Sequence, residues 1–510
     1  MRHRKIVLLE IQVICSIQFA GCVTVDPRPD FDRAEQMAVV RTGVDRVYNP
    51  ETLSTVEDAI ATLLTDGLTT NEAVQVALLN NRRFQALFQE IGVSRADVVQ
   101  SRLLSNPSVG LSTRFPEGGG RSNLSLSFAQ QLVDLWQIPV RKRIAEADLE
   151  RTILNVVHQA SDLAAEVKHK CYDLIAFGQM EEIAGETLAL AERSLKLAQD
   201  RFDAGDVGQV DINLARAAML DVQSQSMAIQ RDRRIAQTTL AQILGLARWR
   251  DPWTLDDSLP QLAFPIDEGD SLLLFAMSER LDARAAAMKV RGAEDEVKRQ
   301  YLSIFPNVTL GVEAERTERQ ALPSRNILAD SARASVANGR LTAPSIQSRG
   351  ERKLERRQII DSLLGPTLDI TLPIWDQNQA QIAKARFQAV QARKEYEEIL
   401  DGVARDIEEA LIVAESAAEL VQFFEQHVLP NARANVEATQ RAYHAGQQGI
   451  IALIDAQRNL IAQREAHVGA RRDYAVALAD LHRSAGGRLP SEVNDEPNTT
   501  AREEAQTATP

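Results

Sequence analysis

Little in this 510-residue chain is suited to chemistry. Its three cysteines, Cys15, Cys22 and Cys171, form no CxxC pair, which excludes a disulfide framework and a cysteine metal cluster. The seven histidines are scattered, with no HExxH motif and no helical i,i+4 pair, so no metal site is expected. A phosphate loop, a GxSxG elbow and a catalytic cysteine–histidine signature are all missing, which argues against an enzyme and against any cofactor. The formal net charge of −13 argues against nucleic-acid binding. Aromatic residues make up only 5% of the chain, while alanine is abundant. Small side chains allow helices to approach closely, which suits coiled coils more than a bulky globular core. Beyond the first twenty residues no apolar run approaches 18, so no transmembrane helix is expected.

The chain opens with MRHRK and a mostly apolar run from Ile6 to Ala20, the pattern of a secretory signal over residues 1–21. That run ends Phe19-Ala20-Gly21-Cys22, which resembles a bacterial lipoprotein processing box. Cleavage before Cys22 would leave a lipid-bearing cysteine at the mature N-terminus. Residues 22–66 contain Pro27, Pro29 and Pro50 and are expected to form an extended arm anchored through that lipid.

The stretch from Gly365 to Leu411 organises the rest. Leu368, Ile370, Leu372 and Ile374 alternate with polar or small neighbours, the period of a strand with one apolar face. Around Pro373 to Gln377 the period changes. Apolar residues then recur at Tyr396, Ile399, Val403, Ile407, Ala410, Ala414, Ala417 and Val421, in helical steps of three and four. Carried on to about Gly446, this predicts a helix of about 65 residues, or roughly 100 Å at ~1.5 Å per residue.

A similar order precedes it. A helix is expected from Thr69 to Leu104, a strand pair over Val109–Phe115 and Leu124–Phe128, a long helix from Pro139 to Asp203, and a shorter one from Gln209 to Leu246. After a linker at 251–270 the order restarts: a helix from Ser271 to Ser303, a strand from Pro306 to Glu315, an irregular 316–360, the organising strand and helix, and a last helix from Gly449 to Arg483. The polar tail 488–510 is expected to be disordered. Helix, strand, strand, long helix and shorter helix thus occur twice, over 67–250 and 271–487. At a constant offset of 241, Phe202 meets Tyr443, Gly205 meets Gly446, Gly208 meets Gly449 and Ala215 meets Ala456.

Two short helices end to end match one long helix in length, which predicts a long helical bundle with all four strands at one end. Four strands of roughly nine residues can cross an outer membrane when tilted but cannot close a barrel. Open edges are not tolerated in lipid, so closure requires further copies of the chain.

Over about residues 50–487 the chain resembles the TolC-like outer-membrane factor family, and within it the lipoproteins of metal and drug efflux. The resemblance rests on GPTLDITLPIWDQNQAQIAKA at 365–385, AYHAGQQGIIALIDAQRNL at 442–460 and RFDAG at 201–205, in order and duplicated. It implies a mostly α fold with a membrane β-barrel. Four strands from each chain of a homotrimer would make a twelve-stranded barrel, above a periplasmic α-helical barrel. It also implies a passive conduit, docked to a periplasmic adaptor and an inner-membrane pump of the resistance-nodulation-division type. The alternatives are a conduit for type I protein secretion and a structural periplasmic coiled-coil lipoprotein.

Trp375, where the organising strand ends, is expected at the membrane interface. The two turns, marked by Phe202 and Gly205 and by Tyr443 and Gly446, form the periplasmic tip. In the family, aspartates just after the second turn line the narrow entrance. Asp455 stands at one matching position and Ala452 at the other; Asp211, the repeat equivalent of Ala452, is the candidate replacement charge. The family typically has glycines where this chain has Asp376-Gln377-Asn378, so the turn there is expected to differ.

Overall fold

A computed structural model describes residues 24–51, 56–65, 67–115, 122–247, 252–262, 269–305, 307–318, 336, 337, 339 and 360–487. Cys22, the leader, most of the 316–360 segment and the tail 488–510 lie outside the described residues. Two compact units emerge: Val99–Ala145 with Gly292–Ala389, and the remainder of the chain.

In chain order the elements are α1 (Arg28–Thr42), α2 (Val56–Leu63), α3 (Thr70–Asn80), α4 (Arg82–Ser101), β1 (Ser108–Arg114), β2 (Asn123–Gln131), α5 (Asp134–Asp203) and α6 (Gln209–Ile243). There follow α7 (Gly269–Glu279), α8 (Leu281–Leu302), β3 (Val308–Glu318), β4 (Ile360–Ile370), α9 (Gln379–Phe423), α10 (Leu429–His444) and α11 (Ile450–Ser484). Mostly helical, with two very long helices and four strands among the described residues, this is the composition expected from the periodicity.

Several expected boundaries are corrected. The 22–66 arm is not wholly extended, because α1 and α2 lie in it. Proline near the start of α1, Asp30 in its first turn and Gly43 in the left-handed conformation after its end are strong helix signals. Proline serves helix starts as well as loops, so composition alone does not separate the two here. Each first helix of a repeat is also two helices. Asn81 leaves the helical region at ψ 115°, and its amide closes the gap: the oxygen accepts from the Phe84 N–H at 3.0 Å and the NH₂ donates to the Ile243 carbonyl at 2.9 Å. The second repeat breaks at Arg280, at the same offset of 199 that relates Pro107 to Pro306.

The second long helix is not uniform either. Pro430 lies within it and cannot donate to the preceding turn. Just before it the chain forms a π-turn at Phe424–Val428, with the Leu429 N–H reaching back to the Phe424 carbonyl. The predicted helix face is the buried one. Val403, Ile407 and Ala414 pack with Leu272 and Ala276 of α7 and with Ala477 and Leu481 of α11.

The strand unit forms one antiparallel sheet of order β1-β2-β3-β4. The β2–β3 pairing joins the two halves of the chain, matching Leu126 to Ala314 and Phe128 to Val312. β4 begins at Ile360, earlier than expected, and ends at Ile370, so Leu372 and Ile374 lie beyond it. β3 likewise runs on to Glu318. Both ends of the expected irregular 316–360 segment are therefore strand.

Candidate functional site

The two turns that end α5 and α10 are the same structure built twice. In each, the glycine N–H bonds to the carbonyl three residues back and the next N–H to the carbonyl five back: Gly205 to Phe202 at 2.9 Å and Asp206 to Arg201 at 2.9 Å, then Gly446 to Tyr443 at 3.0 Å and Gln447 to Ala442 at 2.9 Å. This is the Schellman arrangement, and it needs a left-handed residue. Gly205 and Gly446 supply it at φ 84° and 73°. Gly208 and Gly449 then cap the next helices in extended conformation, at ψ 167° and 164°.

The side chains break the symmetry. Tyr443 is fully buried, whereas Phe202 is exposed. Arg201 stands where the second repeat has Ala442. Its guanidinium lies 4.7 Å from the centre of the Tyr443 ring and donates to the Tyr443 carbonyl at 3.0 Å. A cation on the last carbonyls of a helix is favoured by the helix dipole as well as by the ring face. Burial pushes the Tyr443 phenol above its ordinary range, and the Arg201 charge opposes that shift. Around the ring, Ala198, Ala215, Ile450 and Leu453 complete a core drawn from α5, α6 and α11. Sequence reasoning passed over Arg201. The available signal was that the repeat match fails there, inside a motif otherwise preserved.

Asp211 lies in the first turn of α6, half-buried, close enough for its charge to act on Tyr443. Asp455 is exposed on α11 and makes no ion pair among the described residues. Ala452 is half-buried. Farther from the turns, charge pairs tie the helices together: Arg458 of α11 with Asp221 of α6 at 3.0 Å, and Arg464 of α11 with Glu186 of α5 at 2.7 Å.

The sheet unit has a second distinctive surface. Val109, Leu111, Leu126, Phe128, Leu310, Val312, Leu364 and Leu368 alternate onto one face through the strand register, and all are exposed. The opposite face carries Gly110, Ser112, Ser125, Ser127, Thr309, Glu313, Glu315, Thr367 and Asp369. Water-soluble sheets bury their apolar face; this one leaves it uncovered. Trp375, just past β4, is 87% exposed.

Past β4, Asn378 adopts φ 60°, the only positive φ outside glycine among the described residues. Asparagine tolerates this conformation best after glycine. Here the Asn378 N–H bonds to the Asp376 carboxylate at 2.9 Å, and its side-chain NH₂ donates to the Gln300 carbonyl at 2.7 Å.

No group of three or more potential metal ligands occurs among the described residues. No described helix is long and apolar enough to cross a membrane.

The chain is 22% identical over 428 residues to the cobalt-zinc-cadmium resistance protein CzcC of Cupriavidus metallidurans, covering 82% of this chain and 90% of that protein. Its fold matches the outer-membrane channel OprN with a TM-score of 0.63 at 19% identity, over 88% of this chain and 95% of OprN. It matches CusC, whose structures concern folding and transmembrane channel formation, with a TM-score of 0.63 at 16% identity, over 82% of this chain and 92% of CusC. The family model for outer membrane efflux proteins matches residues 73–246 and 274–487. With that model spanning most of its length, the chain belongs to the outer membrane efflux protein family, the TolC-like channels.

Proposed function

We propose that the protein is the outer-membrane channel component of a tripartite efflux system, a passive conduit that performs no chemistry. The observation that carries this reading is the two-faced sheet: one face carries an uncovered band of Val, Leu and Phe flanked near the strand ends by polar residues such as Thr113 and Arg316, and the other is mostly serine, threonine, glycine and carboxylates, with Leu363 among them. That is the division between lipid and lumen in a membrane barrel. The open edges at β1 and β4 support closure by two further copies, giving twelve strands in a homotrimer. The long helices of the three copies then enclose the periplasmic tunnel.

A periplasmic adaptor and an inner-membrane pump supply selection and energy, and the pump is of the resistance-nodulation-division type. Cobalt, zinc and cadmium in the relative's name make divalent metal the first cargo to test, with small drugs second. No histidine- or methionine-rich tract lines the helices, so the conduit itself does not select soft metals. Cys22 carries the lipid that holds the N-terminus at the membrane.

Bilayer reconstitution is the test. Stepwise ion conductance, with a three-chain mass in mild detergent, is the expected result. A chain that inserts and stays monomeric, or that conducts nothing, overturns the reading. Growth of a deletion strain against metal and drug panels then assigns the cargo. Cys22→Ser should abolish lipid labelling, and labelling that persists removes the anchor.

A further inference from the structure

We propose that the exposed stripe of α6 is the surface that receives α9 of a neighbouring copy, with Ile235 against Leu420 and Arg234 against Glu419. The proposal rests on the trimer reading above and assigns the contact that builds it.

Two helices of the turn-bearing unit carry unpartnered apolar residues. On α6 these are Leu220, Met227 and Ile235, the last 57% exposed. Met227 and Ile235 border an open groove of about 480 Å³ shared with Arg231 and Arg234. On α9 they are Ile412, Leu420 and Phe423, with Leu420 48% exposed. Apolar side chains spaced along a charged helix face are the pattern of a helix awaiting a partner.

The charges around the two stripes are opposite. Arg216, Arg231 and Arg234 are exposed beside the stripe on α6, and Glu408, Glu409, Glu415 and Glu419 beside the stripe on α9; Arg233 lies on the other side of α6, paired with Glu181 of α5. Arg234, Glu415 and Glu419 make no ion pair among the described residues.

The heights also agree. The paired turns provide a common origin, because Arg201 and Tyr443 bind them together. Ile235 stands 27 residues past Gly208 (208 to 235), and Leu420 stands 26 before Gly446 (420 to 446). Both are roughly 40 Å from the turns at ~1.5 Å per residue. Arg234 and Glu419 are matched in the same way. A rotation about an axis along the helices preserves height, so residues at equal height meet across the interface. Two different surfaces joining head to tail form a ring when the rotation closes.

The test is cysteine bridging in the full chain in mild detergent. Ile235→Cys with Leu420→Cys should give a three-chain band on a non-reducing gel after mild oxidation, since bridging needs Cα atoms within about 7 Å. Either single variant should give none. Ile235→Cys with Ile412→Cys, offset by eight residues along α9, should also give none. Cys171 does not compete: it is buried, and burial pushes its thiol up to about 12. As a second arm, Arg234→Glu should reduce the trimer, and Glu419→Arg added to it should restore the loss. A three-chain mass without the 235–420 bridge, or with bridging only to position 412, overturns this interface and leaves the conduit reading standing. A monomeric mass in the unsubstituted protein overturns the trimer reading and the interface with it.

Discussion

Arg201 and Tyr443 join the two halves of the chain at their turns: a guanidinium covers one face of a buried phenol ring and also binds the carbonyl of the same residue. The tyrosine hydroxyl itself is buried and has no well-formed hydrogen bond among the described residues, the Arg201 guanidinium lying over the ring and bonding the carbonyl instead. Two consequences of opposite sign follow. Tyr443→Phe removes an unsatisfied polar atom and should be neutral or stabilising by up to ~1 kcal/mol. Arg201→Ala removes the cation–ring contact and a charged hydrogen bond and should cost ~1–2 kcal/mol. Thermal unfolding of the two variants beside the wild type measures both. A Tyr443→Phe variant less stable than Arg201→Ala would mean that the hydroxyl has a partner.

The left-handed positions make a graded series. A methyl group at Gly205 meets nothing within 4 Å, so Gly205→Ala isolates the backbone term, expected at ~1–2 kcal/mol. Gly446→Ala should cost about the same, since the nearest atom is an Arg201 nitrogen at 3.9 Å. Asn378→Gly keeps the favoured backbone but loses the amide bonds to Gln300, whereas Asn378→Ala loses both and should cost the most of the two. Hydrogen exchange of the amides after each turn reports the local opening. Equal protection in Asn378→Gly and Asn378→Ala would show that φ is not what selects this residue.

The π-turn should make the helices sensitive to acid. His467 of α11 is largely buried against Phe424, 6.2 Å between ring centres, and faces Glu425 at 3.3 Å. Burial lowers its pKa below the ordinary 6.5; the Glu425 carboxylate opposes this, and Arg471 and Arg433 reinforce it. The folded state therefore binds this proton less readily than the unfolded state. The resulting stability is present above pH ~6.5 and is lost as pH falls through the lowered value. Unfolding midpoints between pH 7.5 and 5 should decline less in His467→Gln than in the wild type. Parallel curves would remove His467 from the account.

Asp455 and Asp211 remain the charges we assign to the entrance. In a trimer each forms a ring of three like charges that draws in cations and resists full closure. Single-channel recording should show weaker cation preference and weaker block by multivalent cations in Asp455→Ala, with a smaller change in Asp211→Ala, which is partly covered. Unchanged selectivity and block in the double variant would place the gate on other residues.

Periodicity located the long helices, the four strands and the buried face of α9, because each of these depends on neighbours within a few residues; it did not locate α1 and α2, where prolines read as loop. The sequence also showed that four strands are too few to close a barrel, since that follows from counting and from the intolerance of lipid for open edges. Tertiary structure decided the breaks and the asymmetries. Asn81 ends α3 because its amide reaches α6, 162 residues away. Gly245 takes φ 72° beside Asn80, and its repeat equivalent Gly486 takes φ 98° beside Glu279, the equivalent of Asn80. A Cβ at Gly245 would lie 2.5 Å from the Asn80 carbonyl oxygen, a contact that no local pattern reveals. Phe202 and Tyr443 match in sequence, yet only Tyr443 is buried: Ala198, Ala215, Ile450 and Leu453 from three helices close around it and Arg201 lies over its ring. Local chemistry repeats with the sequence; burial is set by what the rest of the chain brings against it.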